Sequence, residues 1–291
     1  MTLRRTAEMV GTRCFADTRT NGEVAPIPVI RRSWTKLLGF DLERPRWNYR
    51  WRYRGRARLG KADFDRDLMR THLLHIGKTG GNALKHALRP YRTSGSLDIV
   101  FHPHSVRLSD VPVGESVLFM LRDPVDRFIS GFNSRRRRGR PLNNFEWTQD
   151  EAAAFTAFPT ANDLAEALSV AEDRRRAEAV AAMRGIYHVK SSYADWLVDF
   201  DYLGSRRDDI SWVGLTSRLA DDFERLKQIL GLPVECVLPA DPVASHRRLD
   251  TDETCLSPVG IKNIEGWYAA DYPFLTYFAA EAAGGSARGG S

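Results

Sequence analysis

From residue 69 onward the chain predicts an α/β fold, with a central, mostly parallel sheet flanked by helices, on three observations. Short apolar runs bounded by turn residues recur at residues 72–76, 97–101, 117–121 and 210–215, the pattern of buried strands. Stretches of helical spacing fall between them, and parallel strands need such crossovers. Finally, 43% hydrophobic and 27% charged residues over 291 positions is the profile of a globular chain, and no apolar run approaches the ~20 residues that span a bilayer.

Each element has its own warrant. The run at 72–76 ends in glycine-rich sequence and feeds a helix over 82–88. Residues 97–101 and 117–121 read as further strands. Residues 124–138 read as a helix: Pro124 stands at the first position, where a missing N–H costs little, and Asp123 is placed to cap it. Val125, Phe128, Ile129 and Phe132 share one face of that helix. Residues 160–169, opened by an N-cap threonine, and 171–183 are helix candidates within a mostly helical 142–183 region. Residues 210–215 form the next strand. Over 217–230, Leu219, Phe223, Leu226 and Leu230 recur at helical spacing, and Gly231 closes the element.

Residues 1–68 read differently, as a basic N-terminal arm, poorly structured or packed on the body. Residues 1–60 carry 14 Lys/Arg against 5 Asp/Glu, a net of +9, while the other 231 residues have a net of −3. Between Arg44 and Arg58, arginines interleave with Trp47, Tyr49, Trp51 and Tyr53. Such a segment could bind RNA or another polyanion by stacking and charge; an arm that packs its aromatics on the body gives the same pattern. Met69, immediately before the first strand, admits an over-long gene model as a third account. Residues 69–283 form the main domain, and the Gly/Ser-rich tail 284–291 is expected to be disordered.

The three cysteines, Cys14, Cys236 and Cys255, are too few and scattered for a disulfide framework or a zinc site, although Cys236 and Cys255 could pair. No apolar segment follows the first arginines, so a signal peptide is not expected, and the expected location is the reducing cytoplasm.

The densest chemistry is HLLHIGKTGGNAL, residues 72–84. A strand, a Lys-Thr-Gly-Gly turn and a helix start make an anion site, because N–H groups freed of side chains at Gly80 and Gly81 can face one phosphate-like group. Lys78 adds a full charge. The loop is not a Walker A motif: position 72 is histidine where that motif has its first glycine, and the glycine pair follows the lysine. A second segment, VLFMLRDPVDRFISGF at 117–132, puts Arg122 at the end of a strand. Arg122 and Ser130 could hold a second phosphate, one by bidentate charge and one by hydroxyl.

Together, Lys-Thr-Gly-Gly after the first strand and Arg-Asp-Pro-x-x-Arg-x-x-Ser after a later one resemble the sulfotransferase superfamily. The likeness is to carbohydrate O-sulfotransferases related to the uronyl 2-O-sulfotransferases, including their bacterial branch, and it covers roughly residues 70–280. The resemblance implies a P-loop-NTPase-like sulfotransferase fold. It also implies 3′-phosphoadenosine 5′-phosphosulfate as sulfuryl donor, no metal, and a hydroxyl acceptor, expected to be carbohydrate. It assigns Lys78, Thr79, Gly80, Gly81 and Asn82 to the 5′-phosphosulfate and Arg122 and Ser130 to the 3′-phosphate. His246-Arg247-Arg248 resembles the family's closing loop, which makes Arg247 a further donor contact. Two positions depart from the family pattern: Gly77 stands where proline is usual, and Asn82 where serine or threonine is usual.

Transfer to a sugar hydroxyl wants a general base with a pKa near the working pH, which points to histidine. His102-Pro103-His104 follows directly on the strand 97–101, at the edge where α/β proteins put their ligands. A His-x-His here resembles the family's catalytic position. His104 is expected as the base and His102 as a supporting or substrate-orienting group, although either could be the base. Lys78 would stabilise charge on the departing oxygen. A metal reading finds no third and fourth ligand nearby. His75 and His188 read as packed core histidines. The run Arg135-Arg136-Arg137-Arg138-Gly139-Arg140 suits either an acidic acceptor or a solvated helix end. The alternatives to a sulfotransferase are a P-loop-type kinase or nucleotide-binding protein, for which no convincing Walker B carboxylate is found, and a non-catalytic polyanion or RNA binder using the arm. Neither a nucleic-acid partner nor a transmembrane segment is expected.

Overall fold

The structure, a computed structural model, describes residues 69–141, 143–240 and 254–284. The basic arm, Arg247 and residues 285–291 lie outside the described residues.

Five strands form one sheet in the order β2-β3-β1-β4-β5: β1 (Met69–Leu73), β2 (Thr93–Ser94), β3 (Leu97–Phe101), β4 (Ser116–Leu121) and β5 (Ile210–Leu215). All neighbours are parallel except the short β2, which runs antiparallel to β3. The mostly parallel sheet is therefore as the alternating sequence pattern predicts. β1 starts and stops earlier than the apolar run 72–76, yet Leu74 still donates its N–H to Leu118 O at 2.9 Å. Polar Thr71 and His72 fit in the strand because β3 and β4 bury them on both sides.

The connections decide where a ligand can go. The chain leaves β1 through helix α1 (Gly81–Leu88) toward β3, and leaves β4 through helix α2 (Pro124–Arg136) on the path that leads to β5. β1 and β4 are neighbours whose exits diverge, so the carboxyl ends of these two strands flank a crevice, the switch point of an open α/β sheet.

Between α2 and β5 lie α3 (Gln149–Ala157), α4 (Ala161–Ala167), α5 (Asp173–Gly185), α6 (Ala194–Leu197) and α7 (Phe200–Ser205). After β5 come α8 (Leu219–Leu230), α9 (Pro258–Trp267) and α10 (Tyr272–Gly284). Asp123 caps α2 by accepting from the N–H groups of Val125 and Asp126, and Thr160 caps α4 in a reciprocal box with Asp163. Gly231 ends α8 at φ 62°, a left-handed turn that glycine adopts without strain.

Alternation along β4 divides the core. Leu118 and Met120 face α1 and α8, packing with Leu84, Leu88, Phe223 and Leu226. Phe119 points to the other face and meets Phe278 of α10 edge-on, ring centres 5.5 Å apart. A second apolar cluster joins α2, α3, α4, α5 and α9 through Phe128, Phe132, Phe155, Phe158, Met183 and Ile264.

The arginine run is divided between packing and surface. Arg135 is buried and makes a bidentate pair with Glu151, both bonds 2.6 Å. Arg138 pairs with Glu146 at 2.9 Å and lies 4.7 Å over the Trp147 ring. Arg136 and Arg140 are exposed. Cys236 is a buried free thiol, so it forms no bridge with Cys255. Among the described residues no helix is long and apolar enough to cross a membrane.

Candidate active site

The loop between β1 and α1 is built by alternating backbone hand. Lys78 has φ 66° and Gly80 φ 92°, with Thr79 between them not in that region. Alternation of this kind turns successive N–H groups toward one side and makes an anion-binding concavity. For a lysine the left-handed conformation costs ~1–2 kcal/mol, so neighbours must hold it. Thr79 Oγ1 donates to Ile76 O at 2.9 Å, closing the loop on itself. Thr216 Oγ1 sits between the carbonyls of Thr79, at 2.8 Å, and Leu121, at 3.1 Å. The Thr79 hydroxyl is thus committed inward. Gly81 is required by packing: a Cβ there would lie 2.6 Å from Cδ2 of His75. Helix α1 has no side-chain cap and no acidic residue in its first turn, so its positive end is offered to whatever sits before it. Asn82 is its second residue.

Arg122 emerges one strand away, at the end of β4. Its Nη1 lies 3.5 Å from the Lys78 carbonyl, so the two expected anion contacts stand side by side across the crevice. Tyr193 fixes the Arg122 backbone. Its hydroxyl accepts from Arg122 N–H at 2.8 Å and donates to Arg122 O. Tyr193 is anchored in turn by Asp271, which accepts its N–H at 2.9 Å and pairs with Arg127 at 3.0 Å. Ser130 stands two turns into α2, half-buried.

The expected base adjoins the same loop. His104 Nδ1 is 2.9 Å from His75 O, and because a carbonyl only accepts, Nδ1 carries the proton and Nε2 the lone pair. The two rings stack, centres 3.9 Å apart, and a Cβ on Gly77 would lie 3.8 Å from His104 Nδ1. Trp196 Nε1 donates to His104 O at 2.7 Å. Burial holds the His104 pKa below its ordinary value; the bond to His75 opposes it, and Lys85 and Lys78 add smaller effects in the sense of burial. His104 is accordingly neutral at pH 7, as a base must be.

His102 occupies a different place. It is 1% exposed, with Nε2 2.8 Å from Nδ1 of His72, and His72 Nε2 bonds Glu115. A carboxylate accepts, so the protons run in one sense, from His102 Nε2 to His72 and from His72 Nε2 to Glu115. Burial lowers the His102 pKa to about 3. Buried and bonded to His72, His102 is placed as a supporting group.

Three side chains at the site were given no functional role by the sequence. Lys85, on α1, places Nζ 2.8 Å from His75 Nδ1 and 2.5 Å from His102 O. His188 comes within 5.8 Å of the His104 ring, edge to face, and burial together with Lys78 and His104 lowers its pKa. Tyr193 is the third. His75 is buried as expected, but it lines the loop; only the Lys-x-x-x-x-x-x-Lys spacing from Lys78 to Lys85, one turn into the helix, hints at this. Among the described residues no three His, Cys, Asp or Glu side chains are arranged to hold a metal.

No protein-family model matches the chain, and neither curated proteins nor solved structures yield a match.

Proposed function

We propose that this chain is a sulfotransferase that moves a sulfuryl group from 3′-phosphoadenosine 5′-phosphosulfate to a hydroxyl, of a carbohydrate, with His104 as general base. The observation that carries the reading is the juxtaposition at one switch point of the Lys78 loop, Arg122 and a neutral histidine with its lone pair on Nε2. Two cationic anchors on neighbouring strand ends suit a ligand with phosphate at both ends, as the donor has.

In the proposed reaction His104 Nε2 takes the proton of the acceptor hydroxyl as its oxygen bonds to sulfur. The bond from sulfur to the 5′-phosphate oxygen breaks in line, and Lys78 and the N–H groups of the loop stabilise the charge left on that oxygen. Arg122 holds the far phosphate and fixes the donor's reach. Ser130 and Asn82 are additional donor contacts under this reading, as is Arg247.

The test is transfer of sulfur-35 from labelled donor to a panel of glycans, run in the presence of a chelator. Transfer should persist without divalent metal, and His104→Ala should reduce the rate by ~100- to 10,000-fold with binding of adenosine 3′,5′-bisphosphate retained. Metal-dependent transfer of phosphate from ATP, with none from the labelled donor, would make the chain a kinase instead.

A further inference from the structure

The geometry points to Lys85 as a positioning residue for the base: its ammonium ties the ends of β1 and β3 together and thereby holds His104 against His75. The inference rests on the reading of His104 as base, and the argument begins with where the two strands end.

His75 follows β1 and His102 follows β3; the paired register stops at Leu73 and Phe101, His102 N–H still donates to Leu73 O at 3.1 Å, and a gap opens between the two segments beyond that bond. Lys85 Nζ bridges that gap, 2.8 Å from His75 Nδ1 and 2.5 Å from the His102 carbonyl. Burial lowers its pKa only to about 8, so at pH 7 it is an ammonium and donates to both. His75 Nδ1 is then an acceptor, and the His75 proton is on Nε2. His104 completes the arrangement, since its Nδ1–H donates to the His75 carbonyl and its ring lies on the His75 ring. One ammonium therefore fixes a tautomer, a ring plane and the approach of two chain segments, and the geometry of the base depends on all three.

The charged and titratable groups around His104 come from four elements: Lys85 on α1, Lys78 in the loop, His75 after β1 and His188 before α6. Lys78 is reserved for the anion in the proposed reaction, whereas Lys85 is engaged with the protein. Replacing Lys85 thus separates the setting of the base from binding of the donor.

The experiment uses the full chain. Nitrogen-15 imidazole spectra of the wild type should show His75 protonated at Nε2 and His104 at Nδ1. In Lys85→Met, which keeps the stem and loses the donor and the charge, the His104 titration should move up toward 6.5. Turnover should fall by about 10- to 100-fold while the affinity for adenosine 3′,5′-bisphosphate stays within about threefold. Lys85→Arg should restore part of the turnover. A His75 proton on Nδ1 in the wild type, or an unmoved His104 titration in Lys85→Met, would overturn the inference. The spectra decide it even if the wild type transfers no sulfuryl group, and the wild-type tautomer decides it even if Lys85→Met fails to fold.

Discussion

In the helical layer every buried arginine described above meets a carboxylate: Arg135 grips Glu151 through two bonds, and Arg127, between the rings of Tyr193 and Tyr268, holds Asp271. At the strand ends the pattern is reversed. Besides burial, the charges that act on His104 are those of Lys85 and Lys78, and Lys78 acts on His188 as well. The first arrangement pairs each buried cation with an anion of the fold itself. The second concentrates positive charge where burial has weakened the screening by water, which under the proposed function is offset when the donor's anionic groups bind.

Breaking the first arrangement should have the largest effect. Glu151→Ala strands the Arg135 guanidinium in a buried site and should cost ~3–5 kcal/mol in denaturant unfolding, with the affinity of the folded fraction for adenosine 3′,5′-bisphosphate unchanged. A loss of that affinity without loss of stability would erase the distinction between the two regions.

Acidification probes the second arrangement. His102 is buried and its folded pKa is about 3, below the unfolded value of 6.5. The unfolded chain therefore takes up a proton that the folded one refuses, and the stabilisation present above pH 6.5 is lost as pH falls. Between pH 7 and pH 5 this amounts to about 2 kcal/mol. Asp271 acts in the opposite sense, because burial raises its pKa to about 6 and the folded state gains its proton first. Comparing wild type with His102→Gln cancels the Asp271 effect. The stability advantage of the wild type should shrink by about 2 kcal/mol over that range, and a constant difference would contradict the assignment.

The smallest effect should come from the link between the regions. Tyr193 is held by Asp271 through its N–H and holds Arg122 through its hydroxyl. Tyr193→Phe keeps the ring and removes the clasp, which should cost about 1 kcal/mol of stability and weaken the bisphosphate complex severalfold. Equal binding by the variant would show that Arg122 needs no such support.

The sequence was most informative where a local rule suffices. Strands 97–101 and 210–215 are read at their observed bounds, and the caps Asp123, Thr160 and Gly231 declare themselves through side-chain chemistry or a left-handed turn. Lys78, Arg122 and His104 were legible because each follows an apolar run that ends abruptly in polar sequence. What could not be read depends on which strands adjoin. Strand order is a non-local property, and it alone brings Lys85 and His75 to His104 and sends His102 to His72. The bounds of α3, inside the region read as mostly helical, and the role of Tyr193 were hidden for a related reason: an alanine-rich stretch has weak amphipathic contrast, and a tyrosine seventy-one residues from its partner leaves no spacing to detect.

Titration calorimetry with adenosine 3′,5′-bisphosphate, on wild type, Lys78→Ala and Arg122→Ala, tests most directly whether the two strand ends form one site. The wild type should bind at one site, and each variant should lose about 10- to 100-fold in affinity, the loss of a charge-assisted contact, without loss of thermal stability. No heat from the wild type, or equal affinity in all three proteins, would contradict it.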